Sequence, residues 1–194
     1  MPKPFIITRR PQRFHFLTPK PDDFDAEEIA EALSRRCRWS GHCRSYYSVA
    51  QHSVYVSMAA APHGHALWGL LHDAAEAFLP DVPRPLKALL KVATPRPGGR
   101  HKLEPLDDVE NRILRAVAER FHLDPATPPE CVRIADDRIL ATEYAQLFPP
   151  ESAQLWRPDA EPFDWLKITP MPPTAAAAQW LNRFHRLAQE EPTP

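Results

Sequence analysis

The sequence predicts an all-α protein, and three observations lead to that fold class. Segments with apolar residues three and four positions apart recur along most of the 194 residues. The chain has 24 prolines but 5 glycines, which favours helices joined by stiff loops, because proline is common at helix starts and excluded from helix interiors. Residues that cap helices precede several of these segments. We expect a single domain, 1–194, with a core at about 25–150 and a proline-rich segment and last helix at 150–189.

The N-terminal half of the chain contains three predicted helices. Ahead of them, only PFIIT (4–8) has the composition of a strand. Asp25 is a suitable N-cap for the first helix, and Ser48 with Gln51 has the pattern of a capping box at the start of the second. The predicted helices are 26–37, 49–60 and 65–78.

Four more predicted helices follow along the chain. The segment ATPRPGG (93–99) between the first two has the composition of a mobile linker. Residues 149–173 are rich in proline and are expected to wrap the surface. The predicted helices are 85–93, 106–123, 129–148 and 174–189.

Composition excludes several classes of protein. The formal charge of −1 gives no general electrostatic field for nucleic acid or an anionic membrane. No apolar run approaches the roughly 18 residues that a membrane helix needs, and the N-terminal apolar stretch is too short for a secretory signal. The three cysteines, Cys37, Cys43 and Cys131, show no CxxC spacing, which favours reduced thiols. We therefore expect a cytoplasmic protein without nucleic-acid or membrane partners.

Four ionisable side chains lie on the apolar faces of three predicted helices. Helical spacing places His52 inward on 49–60, His72 and Asp73 at a buried edge of 65–78, and Asp136 inward on a later helix. Burying charge is costly unless the charge is paired or bound to a metal. Two imidazoles and two carboxylates would suit a divalent transition metal, with coordination positions left open for water or substrate.

Each of these residues also has an ordinary structural interpretation. A single inward histidine such as His52 is more often hydrogen-bonded to a carbonyl than bound to a metal. Asp136 could instead form a salt bridge with Arg133 or Arg138. The ordered set of residues, rather than any one of them, favours a metal site.

The order of these motifs also suggests a family. The chain has an Arg-Trp pair (Arg38-Trp39), then SVAQHS, LLHDAAEAF, the turn DVPRPLK and, much later, VRIADDRIL. This order resembles the HD-domain metal-dependent phosphohydrolases, and most closely their 5′-deoxynucleotidase branch, over about residues 35–145. The resemblance implies an HD-domain helical bundle. It also favours Asp136 over the adjacent Asp137 as the last ligand, because Asp136 follows an alanine as the family's ligand does.

The resemblance implies a metal-dependent hydrolase that releases phosphate from a small-molecule nucleotide, a (deoxy)nucleoside 5′-monophosphate. One divalent ion, Mn, Co, Zn or Fe, would be held by the set His52, His72, Asp73 and Asp136. Asp73 thereby also counts among the catalytic residues. The resemblance further implies a homodimer, in which a helix carrying Trp180 and Phe184 could form an interface or equally cover the core.

The remaining roles follow from the same resemblance. Glu76 is the expected general acid, and Asp81 would share that role or bind the sugar. Arg38 would hold the phosphate through its guanidinium, with Lys87 a weaker candidate. Trp39 would pack on the sugar and disfavour a 2′-hydroxyl.

Three alternatives remain open at the level of sequence. The chain could be a nucleotide-binding regulatory module that hydrolyses nothing. It could be a two-iron oxygenase of the same fold, although that would need further inward histidines, and His101 and His122 are the candidates. It could also be a deoxynucleotide triphosphohydrolase or a guanosine-tetraphosphate hydrolase. Gln51 stands where the family usually has glutamate, and the loop before it diverges from the branch; these departures concern the substrate more than the chemistry.

Overall fold

Helices account for most of the chain in the computed structural model, which describes residues 4–190. The predicted domain, 1–194, therefore extends outside the described residues at both ends. Within them the helices are α1 (Ala26–Ser34), α2 (Val49–Ala60), α3 (Ala66–Leu71), α4 (Arg84–Lys87), α5 (Leu106–Arg120), α6 (Glu130–Leu147) and α7 (Pro173–Glu190). Two antiparallel hairpins pair β1 (Ile6–Ile7) with β2 (Arg13–Phe14), and β3 (Lys91–Pro95) with β4 (His101–Pro105). The chain is thus mostly helical, as predicted.

The predicted caps begin their helices. Asp25 Oδ1 accepts a hydrogen bond from Glu28 N at 3.0 Å, and Ser48 Oγ accepts one from Gln51 N at 3.2 Å. The Gln51 side chain has a different role from the one predicted, because its Nε2 donates to the Tyr55 hydroxyl at 3.1 Å and to the Thr169 carbonyl at 2.8 Å. Gln51 therefore connects the start of α2 to the segment that precedes α7.

The segment 65–78 is not one helix, so that prediction is wrong beyond Leu71. A 3-10 turn covers Ala74–Ala77, and Asp73 before it has φ −101° and ψ 16°. The His72 Nδ1 lies 2.9 Å from the Gly69 carbonyl oxygen, the acceptor that a continuing α-helix would offer to the amide four residues later. A side chain thus competes for a helical acceptor at the point where the helix ends.

The prediction of a mobile linker at 93–99 is also wrong. A short helix was predicted at 85–93, and the helix in the structure comprises only Arg84–Lys87. Residues 91–105 form the β3–β4 hairpin, in which Lys91 pairs with Pro105. Gly98 and Gly99 have φ of 79° and 75°, a conformation that glycine adopts without steric cost. The glycines that suggested mobility therefore form the turn of an ordered hairpin.

The core positions α2 at the centre of the molecule. This helix packs against α1, α3, α6 and α7. Gly69 on α3 permits close contact, because a Cβ at this position would lie 2.7 Å from Ser57 Cα on α2. Trp180 on α7 is fully buried and stacks on Phe184, with ring centroids 5.6 Å apart. The C-terminal helix therefore covers the core of its own chain.

The proline-rich segment between α6 and α7 wraps the surface of α6, as predicted. Gln146 on α6 donates from Nε2 to the Leu166 carbonyl at 2.7 Å and accepts from Ile168 N at 2.9 Å. Thr142 Oγ1 accepts from Phe163 N at 2.8 Å. Among the described residues, no helix has both the length and the apolar character needed to cross a bilayer.

Candidate metal centre

The four predicted ligands meet where α2, α3 and α6 come together. His52 Nε2 lies 3.3 Å from His72 Nε2, 3.1 Å from Asp136 Oδ1 and 3.6 Å from Asp73 Oδ2. His72 Nε2 lies 3.2 Å from the same Asp73 oxygen and 3.9 Å from the same Asp136 oxygen. The His52 side chain is fully buried, whereas the Asp73 side chain is 19% exposed. The donor atoms therefore converge in a small space, with its two carboxylates partly accessible to solvent.

Three of these side chains suffice to form a potential metal site. His52, His72 and Asp73 each offer one ligand atom, and these atoms lie within 4.8 Å of one another. This group could therefore hold a metal ion. Asp136 Oδ1 is a fourth donor beside both imidazoles, whereas Asp137 faces other partners: its carboxylate pairs with Arg84 at 2.6 Å and with Arg133 at 3.0 Å. The predicted preference for Asp136 over Asp137 agrees with this geometry.

The hydrogen bonds behind the imidazoles determine which nitrogen of each ring carries a proton. His72 Nδ1 lies 2.9 Å from the Gly69 carbonyl, which can only accept, so Nδ1 is the donor. His52 Nδ1 lies 2.5 Å from Glu143 Oε1, and a carboxylate is likewise the acceptor. In the neutral rings both Nε2 atoms then present lone pairs to the same space. This is the arrangement of metal-binding histidines, whose second nitrogen donates to a carbonyl or carboxylate.

Glu143 is the main residue beside the cluster to which the sequence analysis assigned no role. Its side chain is completely buried, and its Oε2 accepts from Arg38 Nε at 3.2 Å and from Trp39 Nε1 at 3.0 Å. Arg38 and His52 lower the pKa of Glu143 although burial favours its neutral form. A signal was present, since Glu143 lies seven residues, or two helical turns, after Asp136 on the same face of α6.

Arg38 lies beside the cluster, as expected for a phosphate ligand. Its side chain is 10% exposed, and Nη1 lies 3.5 Å from Asp73 Oδ2. The pKa of Arg38 is raised, because Glu143 and Asp73 outweigh the opposing effect of burial. Arg38 is therefore a permanent cation next to the predicted metal ligands.

Trp39 belongs to an aromatic cluster as well as to the site. Its indole N–H donates to Glu143, and its ring meets Phe148 edge-on at 4.9 Å and Tyr144 at 6.0 Å. It has φ 57°, an uncommon conformation for a bulky residue. These contacts fix the indole, and its role at the sugar remains a prediction.

The two predicted acids beyond the ligands have perturbed pKa values. Burial, together with the charges of Asp73 and Asp81, raises the pKa of Glu76 well above its usual value. Glu76 Oε2 is buried and has no hydrogen-bond partner in the described part of the chain. Burial, opposed by Arg38 and reinforced by Asp73, also raises the pKa of Asp81. Glu76 therefore retains a proton at a higher pH than an exposed glutamate would.

Lys87 and Arg84 have different carboxylate partners, and only the partner of Arg84 is a predicted ligand. Lys87 donates from Nζ to Glu110 at 2.8 Å, so its strongest contact is a carboxylate on α5. Arg84, which the sequence analysis did not identify, donates from Nη2 to Asp136 Oδ2 at 2.6 Å and from Nη1 to Asp137 at 2.6 Å. Its guanidinium thus binds the carboxylate oxygen of Asp136 opposite the one that approaches His52. Arg84 replaces Arg133 and Arg138 as the arginine partner of Asp136.

The charges of the cluster act on one another. Burial favours neutral carboxyls, but the neighbouring imidazoles lower the pKa of both Asp73 and Asp136. Burial and Arg38 lower the pKa of His52, yet Glu143 and Asp136 outweigh them and raise it to about 9. The acids are therefore ionised at neutral pH, as metal ligands must be.

The histidines that a two-iron centre would require are located elsewhere. His101 in β4 and His122 after α5 are both exposed, and neither belongs to the metal-binding group found in the described residues. The geometry therefore favours a single four-donor site.

Two relatives align with nearly the whole chain. The chain is 33% identical over 192 residues to the uncharacterized protein YfdR of Escherichia coli (strain K12). The aligned region covers 95% of this chain and 96% of that protein. It is 32% identical over 191 residues to the uncharacterized protein RCAP_rcc00048 of Rhodobacter capsulatus. That alignment covers 91% of this chain and 91% of the relative. No family model matches the chain.

Proposed function

The chain belongs to the same family as YfdR, and we propose that it is an HD-domain, metal-dependent phosphohydrolase that acts on small-molecule nucleotides. The observation that carries this proposal is the pair of buried imidazoles, His52 and His72. Their Nδ1 atoms are held by Glu143 and by the Gly69 carbonyl, and their Nε2 atoms lie 3.3 Å apart beside two carboxylates.

The donor set fits a divalent transition metal. Two neutral imidazole nitrogens and two carboxylate oxygens are ligands for Mn, Co, Zn or Fe, and His52, His72, Asp73 and Asp136 would hold the ion. When bound, such an ion supplies a Lewis acid for a phosphate oxygen and a water molecule of lowered pKa. A module that only binds nucleotides has no need of these two functions, so the donor set supports catalysis.

The protein groups around the donors support phosphate ester hydrolysis. Arg38, buried and permanently charged, would bind the phosphate and the negative charge that develops in the transition state. Glu76, whose pKa is raised by burial and by two neighbouring acids, would protonate the leaving alkoxide. Asp81 would share that proton or bind the sugar. Each of these proposed roles corresponds to the burial or the charged surroundings of its side chain.

We propose that the substrates are nucleoside 5′-monophosphates, with deoxyribose preferred. Trp39, which is fixed by Glu143 and Phe148, would place a rigid apolar ring against the sugar. An apolar wall rejects an extra hydroxyl by only about a hundredfold, so the expected preference is modest.

One experiment tests the proposed reaction. Purified protein stripped of metal is assayed for phosphate release from ribo- and deoxynucleoside mono-, di- and triphosphates, with Mn²⁺, Co²⁺, Zn²⁺ and Mg²⁺ added back. We expect release from deoxynucleoside monophosphates that depends on one ion per chain. Release of inorganic triphosphate or pyrophosphate would replace the nucleotidase with another nucleotide hydrolase, and no release from any substrate would refute hydrolysis.

The metal assignment has its own test, the variant Asp73→Ala. It should stay folded by circular dichroism and lose both the metal and the activity, because three donors at most remain. Asp22→Ala, which removes an exposed carboxylate outside both the cluster and the rest of the proposed site, is the control. Full metal occupancy of Asp73→Ala in elemental analysis would exclude the assigned site.

A further inference from the structure

A groove with a volume of about 420 Å³ lies between α6 and residues 156–160 of the proline-rich segment. Trp156, Ile134 and Pro158 contribute apolar surface to its lining, and Arg84 and Asp137 contribute charge. Five of the ten lining residues are charged, and the volume lies within the range of small-molecule sites. None of the roles proposed above uses this groove.

The groove adjoins the metal centre. Arg84 and Asp137 line the groove, and the same Arg84 guanidinium donates to Asp136 Oδ2 at 2.6 Å. Asp136 Oδ1, in turn, lies 3.1 Å from His52 Nε2. One arginine is therefore both a wall of the groove and a support of a predicted metal ligand, which places the groove next to the cluster.

Trp156 is held in place by other aromatic rings while much of it stays accessible. Its ring meets Tyr144 edge-on, with centroids 4.9 Å apart, and lies 6.3 Å from the Trp39 ring. Nonetheless 48% of the residue is exposed. An immobilised and accessible indole offers a stacking surface at little cost in conformational entropy.

The wall that carries Trp156 is attached to α6 at several points. Arg138 on α6 lies over the Phe163 ring, 3.8 Å from its centroid, and donates to the Glu161 carbonyl at 3.1 Å. Phe163 N donates to Thr142 Oγ1 at 2.8 Å. These contacts fix the segment without any ligand, so the groove is formed in advance.

We propose that this groove is the base subsite of the enzyme, in which an aromatic nucleobase stacks on Trp156 while the 5′-phosphate occupies the metal centre. This assignment rests on the proposed function for the position of the phosphate. Ile134 and Pro158 add apolar contact to the base. Stacking tolerates every base, because each has a π-face, so the subsite distinguishes nucleotides from sugar phosphates more strongly than one base from another.

The kinetic test compares a substrate with a base to one without. Specificity constants are measured for deoxyadenosine 5′-monophosphate and for 2-deoxyribose 5-phosphate. In Trp156→Ala, we expect the constant for the nucleotide to fall about tenfold more than the constant for the sugar phosphate, the typical effect of losing one stacking contact. Trp165→Ala is the matched control, since Trp165 lies on the same segment, is 53% exposed and does not line the groove. An equal fall for both substrates would overturn the base subsite.

A second variant avoids any disturbance of the aromatic cluster. Ile134 lines the groove from α6 and is 48% exposed, so Ile134→Lys should fold normally and place a solvated cation where the base would lie. It should reproduce the selective loss on the nucleotide. A Trp156→Ala effect that Ile134→Lys does not share would assign the loss to the aromatic cluster and overturn the groove.

A binding measurement separates this inference from the proposed reaction. Calorimetric titration of deoxyadenosine into chelator-treated protein needs neither metal nor turnover. We expect binding that Trp156→Ala and Ile134→Lys both weaken about tenfold and Trp165→Ala leaves unchanged. That pattern without any hydrolysis would keep the subsite and remove the proposed function. If the protein hydrolyses nucleotides but all variants bind deoxyadenosine equally, the proposed function stands and the base subsite is overturned.

Discussion

At the scale of single residues, Glu143 decides how His52 is used. A buried imidazole without a fixed proton could turn either nitrogen toward the carboxylates. The Glu143 carboxylate accepts from Nδ1 at 2.5 Å and so directs Nε2 to the cluster. The same carboxylate holds Arg38 and Trp39. One acid therefore holds the proposed metal ligand, the proposed phosphate ligand and the proposed aromatic wall together.

The substitution Glu143→Gln tests this positioning role. Glutamine keeps the size of the side chain but removes its charge, so we expect metal affinity to fall about 10- to 100-fold, with little change in α-helical content by circular dichroism. Glu151→Gln, an exposed glutamate outside the cluster, is the control. Unchanged metal affinity in Glu143→Gln, measured by competition with a chelator, would show that the carboxylate is not needed to orient His52.

Glu76 has the environment of a proton donor. The substitution Glu76→Gln should keep the metal and reduce turnover by about two to four decades, the typical contribution of a general acid. The measurement is phosphate release with elemental analysis of the same sample. Loss of the metal would make Glu76 a ligand, and normal turnover would make it a bystander.

The raised pKa of His52 predicts a coupling between protons and metal. Below about pH 9, the metal-free site keeps a proton on His52, which contributes stability below the usual histidine pKa and loses that contribution as the pH rises through about 9. A metal ion must displace this proton. We expect roughly one proton released per ion near pH 7.5, and metal affinity that increases with pH and levels off near 9. Calorimetry in buffers of different ionisation enthalpy measures the released proton, and a value of zero would contradict the assignment.

At the scale of elements, the contact between α2 and α3 determines the distance between the two imidazoles. The contact depends on Gly69, because a Cβ there would meet Ser57 Cα at 2.7 Å and the Val56 carbonyl oxygen at 3.0 Å. These are backbone atoms, which cannot move aside as a flexible side chain would. The Gly69 carbonyl also accepts from His72 Nδ1, so helix packing and ligand orientation share one residue.

The substitution Gly69→Ala should therefore affect stability and metal binding together. Overpacking of this kind costs about 1–3 kcal/mol, and the displaced carbonyl should weaken metal binding as well. Denaturant unfolding and chelator competition measure the two effects. Met58 also lies on α2 and is 41% exposed. Met58→Ala is the control, and it should change neither the free energy of unfolding nor the metal affinity by a comparable amount. A Gly69→Ala protein with native stability would show that the helices can separate freely.

At the scale of the whole molecule, α7 covers the core of its own chain. Trp180 is fully buried within one chain, and α7 packs against both α1 and α2. We expect Trp180→Ala to lower the free energy of unfolding by about 3–5 kcal/mol. The lower melting temperature should be independent of protein concentration. A strong dependence on concentration would place Trp180 at a contact between chains instead.

Local sequence features predicted the parts of this protein that depend on local physics. The caps at Asp25 and Ser48 are satisfied by amides three residues away. The apolar spacing that placed His52 and Asp136 inward is a property of each helix alone. The ordered motifs identified the four donors, and the structure brings those four together.

The tertiary structure decided everything that depends on residues distant in the sequence. Glu143 meets His52 across 91 positions and Arg38 across 105, and Arg84 meets Asp136 across 52. The end of α3 at the His72-Asp73 pair and the ordered hairpin at 91–105 also departed from the local pattern. Helical periodicity indicates which face of a helix is buried. It contains no information about which other helix packs against that face. The partners of a buried charge are therefore fixed only when the helices pack, because a charge removed from water must find its counterpart there.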